Sequence, residues 1–415
     1  MIQPESREVL AGSSSGKEAE MVMPLEGIKV LDVTEAWVGP YATVLLSDMG
    51  ADVIKIERHA GDRTRMRSIS IDKKGIPTVF LAMNHNKKSI TVDLKKEKGR
   101  EIALQLAERS DVFVENMRLG AIDRLGLSYD EVSKRNPKII YASASSWGPR
   151  GPDATKPAVD ILGQARGGIM SSTGPPGQPT PVGEGIADHM AGLYLSYAIL
   201  VALLHRERTG VGQRVYGSML GAQVALQCRT MTGYLINEEL VSKSARGHTM
   251  MGALWTTFKT KDIWIALGGM AEQRWPRFCQ VMGIEHLIDD PRFATPQARL
   301  DNGEQLVEIL DEIFPKKSGE EWIKELEEKD IFVAPVNTLA EVAKDPQVIA
   351  NEYVTEVDYP GHGKVKLAGI PIHFTKTPVK IRKASPELGE HTHEILLDLG
   401  YTWEEIGQLV SEEVV

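Results

Sequence analysis

Residues 24–58 read PLEGIKVLDVTEAWVGPYATVLLSDMGADVIKIER, and they set a strand, a turn, a helix and a second strand one after another. Ile28–Val33 (IKVLDV) is an apolar, β-branched run of the kind that fits a pleated sheet. Val38-Gly39-Pro40 breaks it, and Pro40 suits the first turn of a helix, where its missing N–H has no intrahelical acceptor anyway. Ala42, Leu45, Leu46 and Met49 then recur at helical spacing, Gly50 closes the helix, and Val53–Glu57 (VIKIE) reads as the next strand.

The alternation continues outward. Ser89–Leu94 reads as a strand and Glu97–Glu108 as an amphipathic helix with Ile102, Ala103, Leu106 and Ala107 inward. Asp111–Glu115, a short helix to Arg135 and a strand at Ile139–Ser143 follow. Strands and helices alternating in units of roughly thirty residues predict an α/β fold with a parallel sheet and crossover helices. Residues 145–185, rich in Gly, Pro, Ser and Thr, read as a long loop region of the kind that carries function. Met190–Leu204 reads as a buried helix, Gln213–Tyr216 as a short strand, and a helix runs on through Gln227. The domain reading is a flexible leader at 1–23, a large domain begun by 24–225, a linker and small domain at 226–334, and a return to the large domain at 335–415, ending in a helix at Thr392–Gly400.

A chain of 415 residues, 42% hydrophobic and 25% charged, is long enough for two domains and a sizeable core. Its net charge of −9 argues against nucleic acid as a partner but leaves room for a local cationic site for a small polyanion. The two cysteines, Cys228 and Cys279, form no CxxC pair, so they read as buried or inert thiols rather than disulfide or zinc ligands. The opening residues lack a basic head followed by an apolar run, and Met190–Leu204 is about 15 residues long and interrupted by Gly and Ser. A cytoplasmic protein without a membrane span is expected. The turn after the first strand reads TEAWVGPYA, so the dinucleotide fingerprint GxGxxG is absent, as are P-loop, HExxH, GxSxG and EF-hand patterns. His391 and His393 read as capping and surface residues, and no metal site is expected.

From Pro24 on, the chain resembles the class III CoA-transferases, the family of formyl-CoA and carnitine CoA-transferases. The stretch quoted above carries that resemblance, followed in order by NHNKKSITVDLK, DVFVENMRLGAIDRLGL, NPKIIYASASSWG, DILGQARGGIMSSTG and GIADHMAGLYLSYAILVALLHRERTGVGQRV. IFVAPVNTLAEVAKDPQV and LGEHTHEILLDLGY fit as well. The resemblance implies a large domain with a Rossmann-like parallel sheet built from both chain ends, a smaller α+β domain, and an interlocked homodimer, with a hetero-oligomer of related subunits as the alternative. It implies coenzyme A as co-substrate and no metal.

Residue by residue, the resemblance makes Asp188, in GIADHMAG, the nucleophile, and Arg58 a contact to CoA. Val92, Asp93, Leu94 and Lys95 match a main-chain contact for the nucleotide end, and Asn116, Met117 and Arg118 match another. Arg124 matches a further phosphate or nucleotide contact. Trp37, beside Val38, stands where formyl-CoA transferase has a glutamine near the acyl group, and Asp160 where transferases carry a carboxylate near the reacting centre. Taken as residues alone, Asp188 reads more readily as a helix cap, Asp160 equally well as one, and Arg58 and Arg124 equally well as surface ion pairs. For Asp188 the two roles are compatible, since amide donors and the helix dipole would keep a positioned carboxylate ionised at neutral pH.

The implied activity moves CoA from an acyl-CoA donor, with succinyl-CoA the candidate, to a carboxylic acid through an aspartyl mixed anhydride. The α-methylacyl-CoA racemases resemble the same segments but carry a basic histidine where this chain has Val159, and valine moves no proton. A non-catalytic CoA-binding subunit is the other alternative, and Asp188 speaks against it. The four-glycine lid of formyl-CoA transferase is replaced by ARGHTMMGALW. Trp37 with His248, Thr249, Met250, Met251 and Trp255 therefore predicts a pocket for a bulky or aromatic acid, with oxalate and formate poor substrates.

Overall fold

The computed structural model describes residues 22–66, 75–175, 177–240 and 254–415. Strands β1 (Lys29–Val33), β2 (Asp52–Glu57), β3 (Lys88–Thr91), β4 (Val112–Glu115), β5 (Ile140–Ser145) and β6 (Gln213–Ser218) form one sheet in the order β3-β2-β1-β4-β5-β6. Every neighbouring pair is parallel, with Leu31 aligned to Ile54 on one side and Phe113 on the other. Because side chains alternate along a strand, β1 and β4 feed two cores. Leu31 and Phe113 pack with Ile102, Leu106, Ile395 and Leu409 on one face. Val30 and Val112 pack with Leu46, Leu195 and Ile199 on the other. Both faces are covered, and for that reason the central strands are mostly apolar, with the buried Asp32 and Glu115 as exceptions near their carboxyl ends.

The C-terminal segment reaches the first of these cores through two helices rather than the single one expected. Thr392–Leu399 ends at Gly400, whose φ of 104° reverses the chain. Trp403–Ser411 then begins at Thr402, whose hydroxyl and Glu405 form a reciprocal capping box. A separate core around Trp275, Phe278, Phe314 and Trp322 holds an antiparallel sheet of β7 (Trp255–Lys259), β8 (Trp264–Gly268) and β9 (Val333–Pro335). A hairpin of β10 (Val354–Tyr359) and β11 (Gly363–Ala368) packs beside Ile76, Leu81 and Ala384.

Two expectations need correction. Residues 145–185 are not one long loop, since they hold helices at Asp160–Gly167 and Ile169–Ser172. Their glycines serve close packing: a Cβ on Gly163 would sit 3.0 Å from the Ala187 Cβ, and one on Gly167 would sit 2.3 Å from the Gln223 Cβ. The helix at Met190–Leu204 extends over Ile186–Thr209, 24 residues, long and apolar enough by length and composition to cross a membrane. It is nevertheless the crossover between β5 and β6, with Ala191, Leu195 and Ile199 buried in the core beneath the sheet. The opposite face leaves Leu193, Tyr197 and Leu204 exposed, so the helix is only half-buried. Of the two cysteines, Cys279 is buried, with its thiol pushed up to about 12 by that burial, and Cys228 is exposed.

The long helix is seated through Gly192. A Cβ there would lie 2.7 Å from the Val38 carbonyl oxygen and 2.9 Å from the Tyr41 ring. Gly192→Ala is therefore expected to destabilise the protein by about 1–3 kcal/mol through overpacking, despite the better helix propensity of alanine. Urea unfolding would read this as a lowered midpoint, and an unchanged or raised midpoint would contradict the contact.

Candidate active site

In the order β3-β2-β1-β4-β5-β6 the chain leaves β1 and β4 in opposite directions, and a crevice opens beyond their carboxyl ends. Two adjoining clefts lie there, of about 190 Å³ and about 980 Å³. Arg58, Val92, Asp93, Leu94 and Lys95 line the smaller, and Trp37, Val38, Asn116, Arg118, Arg124, Val159, Asp160 and Asp188 line the larger. Met117 lines both. The sheet thus brings together residues spread from position 37 to position 188.

The turn after β1 separates the clefts and is held rigidly. Asn116 donates through Nδ2 to the Glu35 carbonyl (2.7 Å) and accepts the Glu35 N–H at Oδ1 (2.9 Å). Its side chain clamps β1 to β4 with one donated and one accepted bond. Ala36 follows with a φ of 72°, a left-handed conformation costly for a residue with a Cβ, and its N–H points at the Asp62 carboxylate (3.3 Å). Behind the turn lies a buried ionic layer that sequence reasoning missed. Lys55 pairs with Asp62 at 3.2 Å and donates to the Thr34 carbonyl, while Lys87 pairs with Asp32 at 3.0 Å. Burial works to raise the Asp32 carboxyl, but Lys87 and Lys55 outweigh it and hold it below the usual carboxylate range. Burial brings Lys87 down to about 8. Isolated lysines in strand-like stretches read as solvated, and only the fold shows that these two are not.

Asp188 departs from the expected picture. The first amides of the long helix, Ala187 N–H (2.7 Å) and Asp188 N–H (3.1 Å), donate to Oδ1 of Asp160. Asp160 is therefore the cap, supplied from elsewhere in the chain, and Gln164 steadies it by donating to Oδ2 at 2.6 Å. Gln164 also accepts the Val182 N–H at 2.9 Å, tying down the segment that leads into the helix. The Asp–x–x–x–Gln spacing on one helical face was the sequence signal for this pair. Asp188 keeps none of those amides. Burial first, then the neighbouring Asp160 charge, raise its carboxyl to about 7. The reading that the helix terminus keeps it fully ionised is thus corrected: near neutral pH it is poised between its two forms.

Cations suited to a polyanion stand along the rim. Lys95, Arg118 and Arg124 form no ion pair among the described residues, whereas Arg58 is paired with Glu35 at 2.9 Å. Val159 lies at the cleft edge, 62% exposed. Of the residues expected to shape the acyl pocket, Trp37 lines the larger cleft, while His248, Thr249, Met250 and Met251 lie outside the described residues. Trp255 begins β7, half-exposed, and is not among the residues that line these two clefts. Among the described residues, no group of three or more His, Cys, Asp or Glu side chains is placed to hold a metal ion.

A family model described as CoA-transferase family III matches residues 25–392. Human succinyl-CoA:glutarate CoA-transferase is 35% identical over 402 residues, covering 95% of this chain and 90% of that protein. Formyl-CoA:oxalate CoA-transferase of Streptomyces coelicolor is 35% identical over 415 residues, covering 94% and 99%. (R)-2-hydroxy-4-methylpentanoate CoA-transferase of Clostridioides difficile is 31% identical over 403 residues, covering 95% and 100%. Among solved structures, a CAIB/BAIF family protein from Brucella suis is similar at a TM-score of 0.82 and 33% identity, covering 91% of this chain and all (100%) of that one. Rv3272 from Mycobacterium tuberculosis is similar at a TM-score of 0.79 and 30% identity, covering 90% and 99%. With a parallel sheet whose switch-point clefts gather these residues, and with relatives of this kind along nearly its whole length, the chain belongs to CoA-transferase family III and is an enzyme that transfers CoA.

Proposed function

We propose that this enzyme moves CoA from succinyl-CoA to a carboxylic acid bearing a branched or aromatic group, with Asp188 as the covalent carrier. The observation that carries the reading is Asp188, a carboxylate in a cleft rimmed by cations and poised near neutrality by burial and Asp160. Ionised Asp188 attacks the donor thioester carbonyl and expels CoA as thiolate, forming a mixed anhydride. The thiolate attacks the Asp188 carbonyl, releases the donor acid and leaves an aspartyl-CoA thioester. The acceptor carboxylate attacks that carbonyl and again expels the thiolate. The thiolate then takes the acyl group from the second anhydride and frees Asp188. Each step exchanges one activated acyl bond for another, so the cycle needs neither ATP nor a metal. A racemase would need a second base where Val159 stands.

The acceptor preference rests on Trp37 in the larger cleft, and the C. difficile relative is named for a branched acid. Burying one aromatic or branched group contributes on the order of 2 kcal/mol, roughly thirtyfold in kcat/KM over acetate or formate. Incubation with panels of acyl-CoAs and free acids, with new thioesters read by mass spectrometry, is expected to show that order. A preference for oxalate or formate overturns it, as does a Trp37→Gln variant that keeps full activity on the bulky acid.

The working form in this reading is a homodimer of interlocked chains. Supporting it are apolar side chains left exposed on one chain, Tyr197 and Leu204 on the long helix and Leu235 and Ile236 on the helix at Cys228–Asn237. Exposed apolar side chains of this kind suit an association face. A species of twice 45.7 kDa is expected to persist in sedimentation runs at nanomolar concentration. A folded monomer at that dilution contradicts it, and an inactive pure chain that regains activity with a second subunit would point to a hetero-oligomer.

A further inference from the structure

Glu35 occupies the wall between the two clefts and lines both of them. Each of its carboxylate oxygens faces a different guanidinium. Arg58 Nη2 lies 2.9 Å from Oε1, and Arg63 Nε lies 3.3 Å from Oε2. Arg58 belongs to the smaller cleft and Arg63 to the larger, so the carboxylate joins a cation from each. Both arginine side chains are more than half exposed, at 54% and 58%, and Glu35 is 35% exposed. Ion pairs this open to water contribute little to stability, so the arrangement is not explained as a fold-holding contact. Its backbone is explained, because Asn116 clamps both the N–H and the carbonyl of Glu35. The carboxylate therefore swings from a fixed base.

We propose that Glu35 is a built-in stand-in for a phosphate of the CoA substrate, holding Arg58 and Arg63 in a phosphate-ready pair and yielding them when the ligand enters. The geometry supports this in three ways. One anion bridging two guanidiniums, one per oxygen, is the arrangement a phosphate makes with an arginine pair. Two exposed guanidiniums brought together without an anion would repel; Arg58 is also anchored through Nε to the Gly61 carbonyl (3.1 Å), so the carboxylate chiefly draws Arg63 to it at the junction the ligand must cross. A phosphate offers more charge and more acceptor oxygens than the carboxylate, so the exchange runs toward the ligand while an uncharged pantetheine arm gains nothing from it. Glu35 is then a positioning residue: it holds the arginine pair in place and is displaced by the incoming phosphate, at a cost in CoA affinity. The inference deepens the CoA-binding reading of Arg58 and rests on it.

The test is calorimetric binding of CoA, 3′-dephospho-CoA and pantetheine to the full-length protein, wild type and Glu35→Gln. With the competing charge removed and both arginines retained, CoA is expected to bind about tenfold tighter, with pantetheine affinity unchanged and a steeper salt dependence. A gain kept with 3′-dephospho-CoA assigns the diphosphate as the occupant, and a gain lost with it assigns the 3′-phosphate. Equal or weaker CoA binding by Glu35→Gln overturns the proposal, as does an equal gain for pantetheine. Arg58→Ala separates the two levels of inference. If it leaves CoA affinity untouched, the CoA reading of this cleft fails; if it weakens CoA while Glu35→Gln changes nothing, only the stand-in role fails. Unfolding midpoints measured alongside keep a folding defect from passing as a binding effect.

Discussion

Asp188→Ala is expected to lower CoA transfer by roughly 10⁴-fold or more, the scale of loss when a covalent nucleophile is removed, while CoA still binds. The reason is specific to the proposed route: without the carboxylate there is nowhere to park the acyl group while the thiolate and acids exchange. A second readout does not depend on turnover. Donor acyl-CoA plus hydroxylamine should leave a hydroxamate on the peptide that contains Asp188, because both the anhydride and the aspartyl thioester are open to that nucleophile. The neighbouring Asp160→Ala should behave differently, since its carboxylate is engaged with the Ala187 and Asp188 amides and with Gln164. It is expected to loosen the helix start without removing the carrier. Wild-type turnover in Asp188→Ala, or hydroxamate confined to another residue, would sink the assignment.

The second large effect is on stability, and its sign runs opposite to activity. Asp188 has its carboxyl raised from 3.8 to about 7 in the folded protein, by burial first and the Asp160 charge second. Below about pH 4 the group is protonated in folded and unfolded chains alike, and it contributes no difference. Between about pH 4 and 7 the unfolded chain ionises while the folded one resists, so stability falls as pH rises. Above about pH 7 the cost is fully developed, with an upper bound of roughly 4 kcal/mol from about three pKa units. Asp188→Asn cannot ionise, so it should be more stable than the wild type at pH 8, with the gap closing toward pH 4. Denaturant unfolding at fixed protein concentration would show this, and equal midpoints at pH 8 would contradict the buried, charge-opposed site. The same shift predicts that kcat/KM of the wild type rises with pH through about 7. In Asp160→Asn, which keeps an oxygen to accept the helix amides but removes the opposing charge, that limb should move to lower pH.

Much of this site was legible before folding, for identifiable reasons. The alternation from Ile28 to Ser143 carries its own period, so β1 to β5 and the helices at Val38–Asp48 and Glu97–Glu108 follow from local chemistry, whereas the short helix at Thr78–Asn84 does not stand out. Asp188 and the rim residues were named through resemblance rather than periodicity, and the sheet gathers them because its strand order reverses at β1 and β4. The helix at Asp160–Gly167 was hidden by its glycines, whose purpose is visible only against Ala187 and Gln223. The second C-terminal helix carries a local sign of its own, Thr402 three residues before Glu405.

By itself the sequence determined the parallel α/β class, the order of the elements and the residue types available for chemistry, because strand and helix periods and turn residues are local properties. The charge states were decided by tertiary structure alone. An aspartate in a linear sequence is an ordinary acid. Only the packing that buries Asp188, hands its helix amides to Asp160 and sets the two carboxylates beside each other makes it one that titrates near neutrality. In the same way Lys55 and Lys87 look like surface charges until the strands close over them, and Glu35, Arg58 and Arg63 look unrelated until one turn sets them face to face. Burial and charge proximity are sums over neighbours distant in sequence, and those neighbours exist only once the chain has folded.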